Sequence, residues 1–166
     1  MLSNRSLPLL LLQAREQIMA RFRPLLNANG ITEQQWRVIR VLLETGPLEP
    51  REIGSLCHIS SPSLAGVLAR MEAMDLVVRK RLGSDQRRVR VSLKSRSRTL
   101  ASRMAPKINA TYRQIEARIG LQVWRHLYQV LDELVETLAT PKRAGKRPSG
   151  SQATVSAHAS RAAPLR

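Results

Sequence analysis

The sequence predicts a mainly α-helical fold with one small β-hairpin, a winged helix-turn-helix flanked by dimerisation helices at both chain ends. Three observations favour this fold. Apolar residues recur at helical spacing through most of the first 140 positions. Two short helical segments are separated by a tight turn at residues 58–60, and residues 79–98 then alternate as two strands around a polar turn. Two helices, a tight turn and a hairpin in this order make the winged motif.

The first two helices have clear start and stop signals. Pro8 stands near the first helical position, where its missing N–H is tolerated, and Asn29-Gly30 ends the helix. Thr32 to Gln35 is a capping-box pattern that opens the second helix, and Gly46-Pro47 stops it. Both helices carry an apolar stripe, so each is expected to pack one face on a core.

The central helix pair is predicted from Pro50 onward. Pro50 begins a short third helix, and Ser61-Pro62 begins a fourth that runs to about Asp75, with Ser61 expected to cap it. The apolar side of the fourth helix follows the i, i+3, i+4, i+7 pattern of Leu64, Val67, Leu68 and Met71. Its opposite side is mostly short or polar, which leaves that face open to close approach.

The hairpin is strongly basic. Between residues 79 and 98 the chain has nine lysines and arginines and one acid, Asp85. Val89, Val91 and Leu93 alternate with polar residues, which is the period of a half-buried strand. A basic hairpin favours a polyanionic partner, so nucleic acid is the first class of ligand to consider.

After the hairpin, a long helix is expected to run to Gly120, with Pro106 inside it. A last helix then carries a seam with coiled-coil-like spacing: Trp124, Leu127, Leu131, Leu134 and Leu138. These terminal helices have more apolar surface than the central unit can cover, which predicts a homodimer. We expect residues 1–140 to form the folded domain and residues 141–166, which lack periodicity and acids, to form a disordered basic tail.

Composition limits the function classes. The formal charge is +16 and only five aromatic residues occur, none of them in the hairpin, which disfavours RNA recognition by base stacking. Cys57 is the single cysteine, so an internal disulfide is excluded, and the expected localisation is cytoplasmic, with no membrane partner. We find no catalytic set, phosphate loop or metal-ligand spacing, and expect neither an enzyme nor a cofactor.

The hairpin also resembles a known family. The segment Asp85-Gln-Arg-Arg-Val-Arg-Val-Ser-Leu93, with an acid, an arginine two positions on and an alternating strand, is similar to the wing of the MarR family of bacterial transcription regulators. The resemblance extends over roughly residues 8–140. More narrowly, four segments resemble the subgroup of these regulators that represses aromatic-acid catabolism: residues 12–16, 22–24, 32–37 and 62–64. One departure is Lys94 and Ser97, where the family usually has Thr and Gly; here Ser95 is expected to cap the next helix.

The resemblance implies a dimeric repressor that binds a pseudo-palindromic site on double-stranded DNA. The fourth helix enters the major groove and the wing reaches the minor groove, with Asp85 holding Arg87 in place. The DNA-binding residues we expect are Ser61, Ser63, Gly66, Arg70, Asp85, Arg87, Arg88 and Arg90. For several of them the alternative is a plain surface or capping role.

The resemblance also implies a small aromatic carboxylic acid as effector. Arg15 is the first candidate for binding its carboxylate, Trp36 could stack on its ring, and Arg40 and His58 are possible partners. Trp36 as core and His58 as a helix-end residue are the alternatives. Some family members sense oxidants, but Cys57 stands at an apolar position and is expected to be core. The rival function is an architectural DNA-binding protein without sequence preference or effector.

Overall fold

The computed structural model describes the backbone of residues 5–82 and 85–139 and the side chains of residues 5–81 and 89–139. The described elements are α1 (Leu7–Ala28), α2 (Glu33–Thr45), α3 (Pro50–Cys57), α4 (Ser61–Ala73), β1 (Val77–Leu82), β2 (Asp85–Leu93), α5 (Ser95–Ile119) and α6 (Leu121–Leu138). The predicted mainly α-helical winged fold is confirmed. The predicted tail, residues 141–166, lies outside the described residues.

Helix starts and stops in the first part of the chain follow local sequence. Ser6 caps α1 by accepting the backbone N–H of Leu9 at 3.4 Å. At α2, the Thr32 hydroxyl accepts the Gln35 N–H at 3.2 Å, and the Gln35 side chain accepts the Thr32 N–H at 2.9 Å. The predicted capping box is therefore confirmed. Gly46 ends α2 with a φ of 79°, a left-handed value that favours glycine.

Two apolar clusters hold the part of the chain up to Ile115 together, and the chain divides into two compact units after that residue. The main cluster joins α2, α3, α4, the hairpin and the start of α5, and it includes Val38, Ile39, Ile53, Leu68, Met71, Val77 and Val91. A second cluster joins α1 to α5 through Phe22, Leu26, Met104 and Ile108. Trp36 is half-buried and packs against both clusters.

The hairpin is antiparallel, with Val77 opposite Leu93 and an irregularity after Arg81. Val91 and Leu93 are buried whereas Arg90 is exposed, so the predicted alternation is confirmed. The connection after α2 also joins the sheet, because Leu48 and Val91 exchange backbone hydrogen bonds of 3.1 and 2.8 Å. The hairpin is thereby fixed to the helical core at its base.

Two predicted helix caps are wrong by one residue. At α4 the N-cap is Ser60, which has an extended backbone conformation. Its carbonyl accepts the N–H of Leu64 at 2.8 Å, so Ser61 is already helical. At α5 the carbonyl of Lys94 accepts the N–H groups of Ser97 and Arg98, so Lys94 precedes the first helical residue, Ser95. In both runs adjacent polar residues offer alternative caps, and the local sequence does not distinguish them.

The second compact unit contains α6, which follows Gly120 with its φ of 88°. None of the residues of α6 is buried. Trp124 packs edge-on against Tyr128, with ring centroids 5.1 Å apart. The expected seam residues Trp124, Leu127, Leu131 and Leu134 are half-buried, while Leu138 is exposed.

Among the described residues, no helix is both long and apolar enough to cross a membrane. Within the same residues, no cluster of three or more histidine, cysteine or acidic side chains could hold a metal ion.

Candidate nucleic-acid interface

Helix α4 separates into a buried side and an open side. Leu64, Val67, Leu68 and Met71 are buried, as the spacing predicts. The predicted contact residues Ser61, Ser63 and Arg70 are exposed on the other side, where Gly66 is half-buried. A helix with this division presents short side chains to solvent while its large ones anchor it, which is the arrangement a groove-binding helix needs.

The serines at the start of α4 have different roles. Ser60 donates its hydroxyl to the Ser63 hydroxyl across 3.0 Å, instead of capping a backbone N–H. Ser61, as the first helical residue, is not the cap. The first turn of α4 therefore carries exposed hydroxyl groups next to helix N–H groups, which favours contact with an anionic ligand such as a phosphate.

Arg70 lies against Gly66 one turn earlier on α4. A Cβ atom added at Gly66 would stand 3.5 Å from the Arg70 Nη1 atom. The Arg70 guanidinium therefore lies over Gly66, on the open face of α4, where the absence of a side chain leaves room for it. The structure brings these two predicted contact residues together.

The wing supplies cations beside α4. Lys80 and Arg90, on opposite strands, pair in the hairpin register and both are exposed. The side chains of Asp85, Arg87 and Arg88 lie outside the described residues, so the predicted Asp85–Arg87 contact stays a prediction. Their backbone belongs to β2, the strand that ends in the buried Leu93.

Sequence reasoning missed two acid–base contacts with the hairpin region, one made by α4 and one made by the turn that follows it. Glu72 binds Arg79 on β1, and Asp75 forms an ion pair with Lys94. Hydrogen bonds from the Arg79 side chain hold the pKa of Glu72 below its ordinary value, against a smaller opposing effect of desolvation. The sequence shows that acids and cations are present in this region, but it does not show which acid pairs with which cation until the hairpin register is known.

The predicted effector residue Arg15 is bound by acids. It forms ion pairs with Glu33 at the start of α2 and with its neighbour Glu16, the latter at 2.6 Å. Arg23 adds a second cation to Glu16, and its hydrogen bond is the main reason why the pKa of Glu16 lies below its ordinary value. This charged cluster joins α1 to α2 one turn before Trp36.

The other predicted effector residues lie on two elements. Trp36 and Arg40 are one turn apart on α2, where Arg40 Nη2 contacts Glu44 at 2.7 Å. His58 is exposed and ends α3 in a left-handed conformation, with a φ of 49°. Its backbone N–H donates to the carbonyls at the end of α3. Arg15 and Trp36 therefore lie near the α1–α2 junction, Arg40 lies one turn further along α2, and His58 belongs to the turn between α3 and α4.

Comparison with known proteins supports the family that the wing sequence resembles. The MarR family model matches residues 29–88. The homoprotocatechuate degradative operon repressor of Escherichia coli is 38% identical over 130 residues, which is 78% of this chain and 88% of that protein. The crystal structure of transcriptional regulator PA4135 has a TM-score of 0.79 at 40% identity, covering 82% of this chain and 100% of that one.

A second solved structure, NadR in complex with 4-hydroxyphenylacetate, has a TM-score of 0.71 at 38% identity and covers 82% of this chain and 96% of that one. The chain belongs to the MarR family of transcription regulators.

Proposed function

We propose that this chain is a dimeric, sequence-specific repressor that binds a pseudo-palindromic operator and is released by a small aromatic carboxylic acid. MarR family members are DNA-binding regulators and not enzymes. The observation that carries the proposal is the open face of α4, with its exposed serines and Arg70, beside the basic hairpin. Two such helices about 34 Å apart in a dimer would enter successive major grooves.

Residues of α4 and the wing have separate roles in this proposal. Ser61, Ser63 and Arg70 contact phosphates or base edges, and Gly66 permits the close approach. Arg87, held by Asp85, enters the minor groove. Arg88 and Arg90 contact the backbone, which sets affinity and salt dependence more than sequence preference.

The relatives support an aromatic acid as effector. The E. coli relative is named for a homoprotocatechuate degradative operon, and NadR was crystallised with 4-hydroxyphenylacetate. In this chain the carboxylate of such an acid would compete with Glu33 for Arg15, and its ring would stack on Trp36. Arg40 and His58 remain further candidates. The acid bound between Arg15 and Trp36 would itself occupy space at the α1–α2 junction and thereby alter the spacing of the two recognition helices.

The test is an electrophoretic mobility shift with the DNA upstream of the chain's own gene, with and without 4-hydroxyphenylacetate or homoprotocatechuate. We expect either acid to weaken the complex with the wild-type protein. Arg15→Gln should keep DNA binding and need a higher acid concentration, whereas Arg21→Gln, an exposed change on the same helix, should match the wild type. If no aromatic acid weakens the protein–DNA complex, the proposed effector is wrong.

The alternative, an architectural DNA-binding protein, is favoured by the net charge of +16 and by the six cations after residue 140. Competition with unrelated DNA at fixed salt separates the two functions. A repressor keeps a specificity ratio of about 1,000 or more. A protein that binds through charge alone loses its complex to any competitor in proportion to the amount added. We infer that residues 1–140 carry the specific binding and that the basic tail adds general affinity.

A further inference from the structure

The contact between Glu72 and Arg79 joins the recognition helix to the wing. Glu72 lies in the last turn of α4, and Arg79 lies on β1. One carboxylate oxygen accepts from Arg79 Nε at 2.7 Å and from Nη2 at 2.5 Å. The other oxygen accepts the backbone N–H of Arg79 at 3.3 Å. Because Glu72 binds the main chain as well as the side chain, it holds the strand itself.

The base of the wing is fixed separately. The carbonyl of Leu76 accepts the N–H of Lys94 at 3.0 Å and the hydroxyl of the fully buried Ser97 at 2.5 Å. Asp75 adds an ion pair with Lys94. These contacts lie where the hairpin leaves the core, three residues before Arg79, whose partner in the register, Val91, is bonded to Leu48. Glu72 therefore holds β1 at the level where Leu48 holds β2. A small rotation about the base moves the tip by several ångströms, since each strand residue adds about 3.3 Å.

The charges of Glu72 and Arg79 also favour a role in holding the wing over a direct contact with DNA. The Arg79 guanidinium binds the Glu72 carboxylate through two nitrogens, so the negative charge of Glu72 offsets the positive charge of Arg79. It would release few counterions from DNA, unlike an unneutralised cation on the same hairpin. Glu72 would repel a nearby phosphate, so an acid at this point opposes DNA binding unless it has another role.

We propose that Glu72 and Arg79 form a positioning pair that fixes the wing against the recognition helix, so that Arg79 promotes DNA binding through the wing and not through a phosphate contact of its own. This inference rests on the proposed function, in which α4 and the wing bind one operator. It assigns Glu72, an acid, a positive contribution to binding a polyanion.

The test is a double-mutant cycle with Glu72→Ala, Arg79→Ala and the double variant, measured as operator Kd over a series of salt concentrations. We expect each single variant to bind about 3- to 10-fold more weakly and the double variant to be no weaker than the singles, because either change breaks the same contact. The slope of log Kd against log salt should stay unchanged. Glu133→Ala and Arg113→Ala, which remove one exposed charge each from α6 and α5, are the matched controls.

A direct phosphate contact predicts the opposite pattern. Glu72→Ala would then bind more tightly, and Arg79→Ala would reduce the salt slope by about 0.9, one phosphate fewer. Either result overturns the positioning role. Thermal unfolding of each variant confirms the fold, since an exposed ion pair has little effect on stability. Specific binding by the wild type with an unaffected Glu72→Ala overturns this inference alone, whereas absence of specific binding by the wild type overturns the proposed function as well.

Discussion

Cys57 ends α3 and is only 2% exposed, so its thiol belongs to the main core as the sequence predicts. Arg37 Nη1 donates to the Cys57 carbonyl at 2.7 Å, which places a cation nearby. Desolvation nevertheless dominates and raises the pKa of the Cys57 thiol above its ordinary value, while Arg37 lowers it by less. The neutral thiol is therefore the form that the folded protein favours, and it is the less reactive form.

We expect Cys57 in the folded protein to react with iodoacetamide at least tenfold more slowly than in the chain unfolded in guanidinium. Because the folded pKa is raised, the difference between the two states persists as pH rises through the ordinary thiol range, about 8.5. Mass spectrometry of the alkylated protein at several pH values measures it. Hydroperoxide should leave the operator complex intact, and rapid labelling of the folded protein would contradict a core role.

Single residues differ in how far the sequence predicts them. Thr32 and Gln35 form a capping box because both partners are local and no neighbour competes. Ser60 and Ser61 are adjacent, so the choice of cap depended on the turn before α4, and the prediction was wrong. Glu72 could not be assigned to Arg79 from the sequence, since six residues and a chain reversal separate them and other cations stand nearby.

At the scale of elements, α3 and α4 contain one internal glycine each, in different surroundings. A Cβ atom added at Gly66 would have the Arg70 guanidinium 3.5 Å away, an ordinary contact with a flexible side chain. At Gly54 it would lie 3.2 Å from the backbone carbonyl of Ile59, whose N–H in turn bonds to the Gly54 carbonyl at 3.0 Å. A Cβ atom at Gly54 would therefore make a tighter contact than most Cβ atoms do, against the turn between the two helices, whereas one at Gly66 would have ordinary room.

The same substitution should have opposite effects at the two positions. Gly66→Ala removes the helix penalty of glycine and should raise the free energy of unfolding by about 0.5–1 kcal/mol. Gly54→Ala has the same gain, but the Ile59 carbonyl must shift by a few tenths of an ångström to admit the methyl group. We expect this strain to lower the free energy of unfolding by about 1 kcal/mol overall. Chemical denaturation of both variants measures the two effects.

The Gly66→Ala variant also tests the DNA-facing side of α4. Its added methyl group stands on the face proposed to enter the groove, so operator affinity should fall about tenfold although the fold is more stable. Stability and binding then change in opposite directions, which general damage to the fold does not produce. Wild-type affinity in Gly66→Ala would mean that this face does not approach DNA closely.

The elements themselves were predictable because their signals are local: prolines at helix starts, glycines at helix ends and the two-residue alternation of the hairpin. Their mutual contacts were less so. The bridge between Leu48 and Val91 joins residues 43 positions apart, and neither has a side chain that indicates the pairing. Leu56, an apolar residue of α3 beside buried Cys57, is half exposed at 52%, which composition alone does not reveal.

At the scale of the whole molecule, the apolar residues of α6 form one broad face that covers about half of its circumference, opposite a polar face. The predicted seam occupies one side, and further large apolar residues are exposed around it: Leu121, Val123, Tyr128, Val130, Val135 and Leu138. On α1, Leu7, Leu9, Leu11 and Leu12 are exposed as well. A broad exposed apolar face is normally covered by a partner, so α6 and the exposed leucines of α1 favour burial against a second copy.

Val135 tests the proposed dimer because it is 68% exposed in the single chain. If α6 met no partner, Val135→Glu would be a surface change within about 0.5 kcal/mol of neutral. In a dimer it would place a carboxylate in an apolar contact, and we expect dissociation at micromolar concentration with loss of operator binding, since a single recognition helix contacts one half-site. Analytical ultracentrifugation measures the mass, with Gln129→Glu, an exposed polar change on the same helix, as control. A Val135→Glu protein that remains dimeric and binds the operator would exclude this face of α6 from the interface.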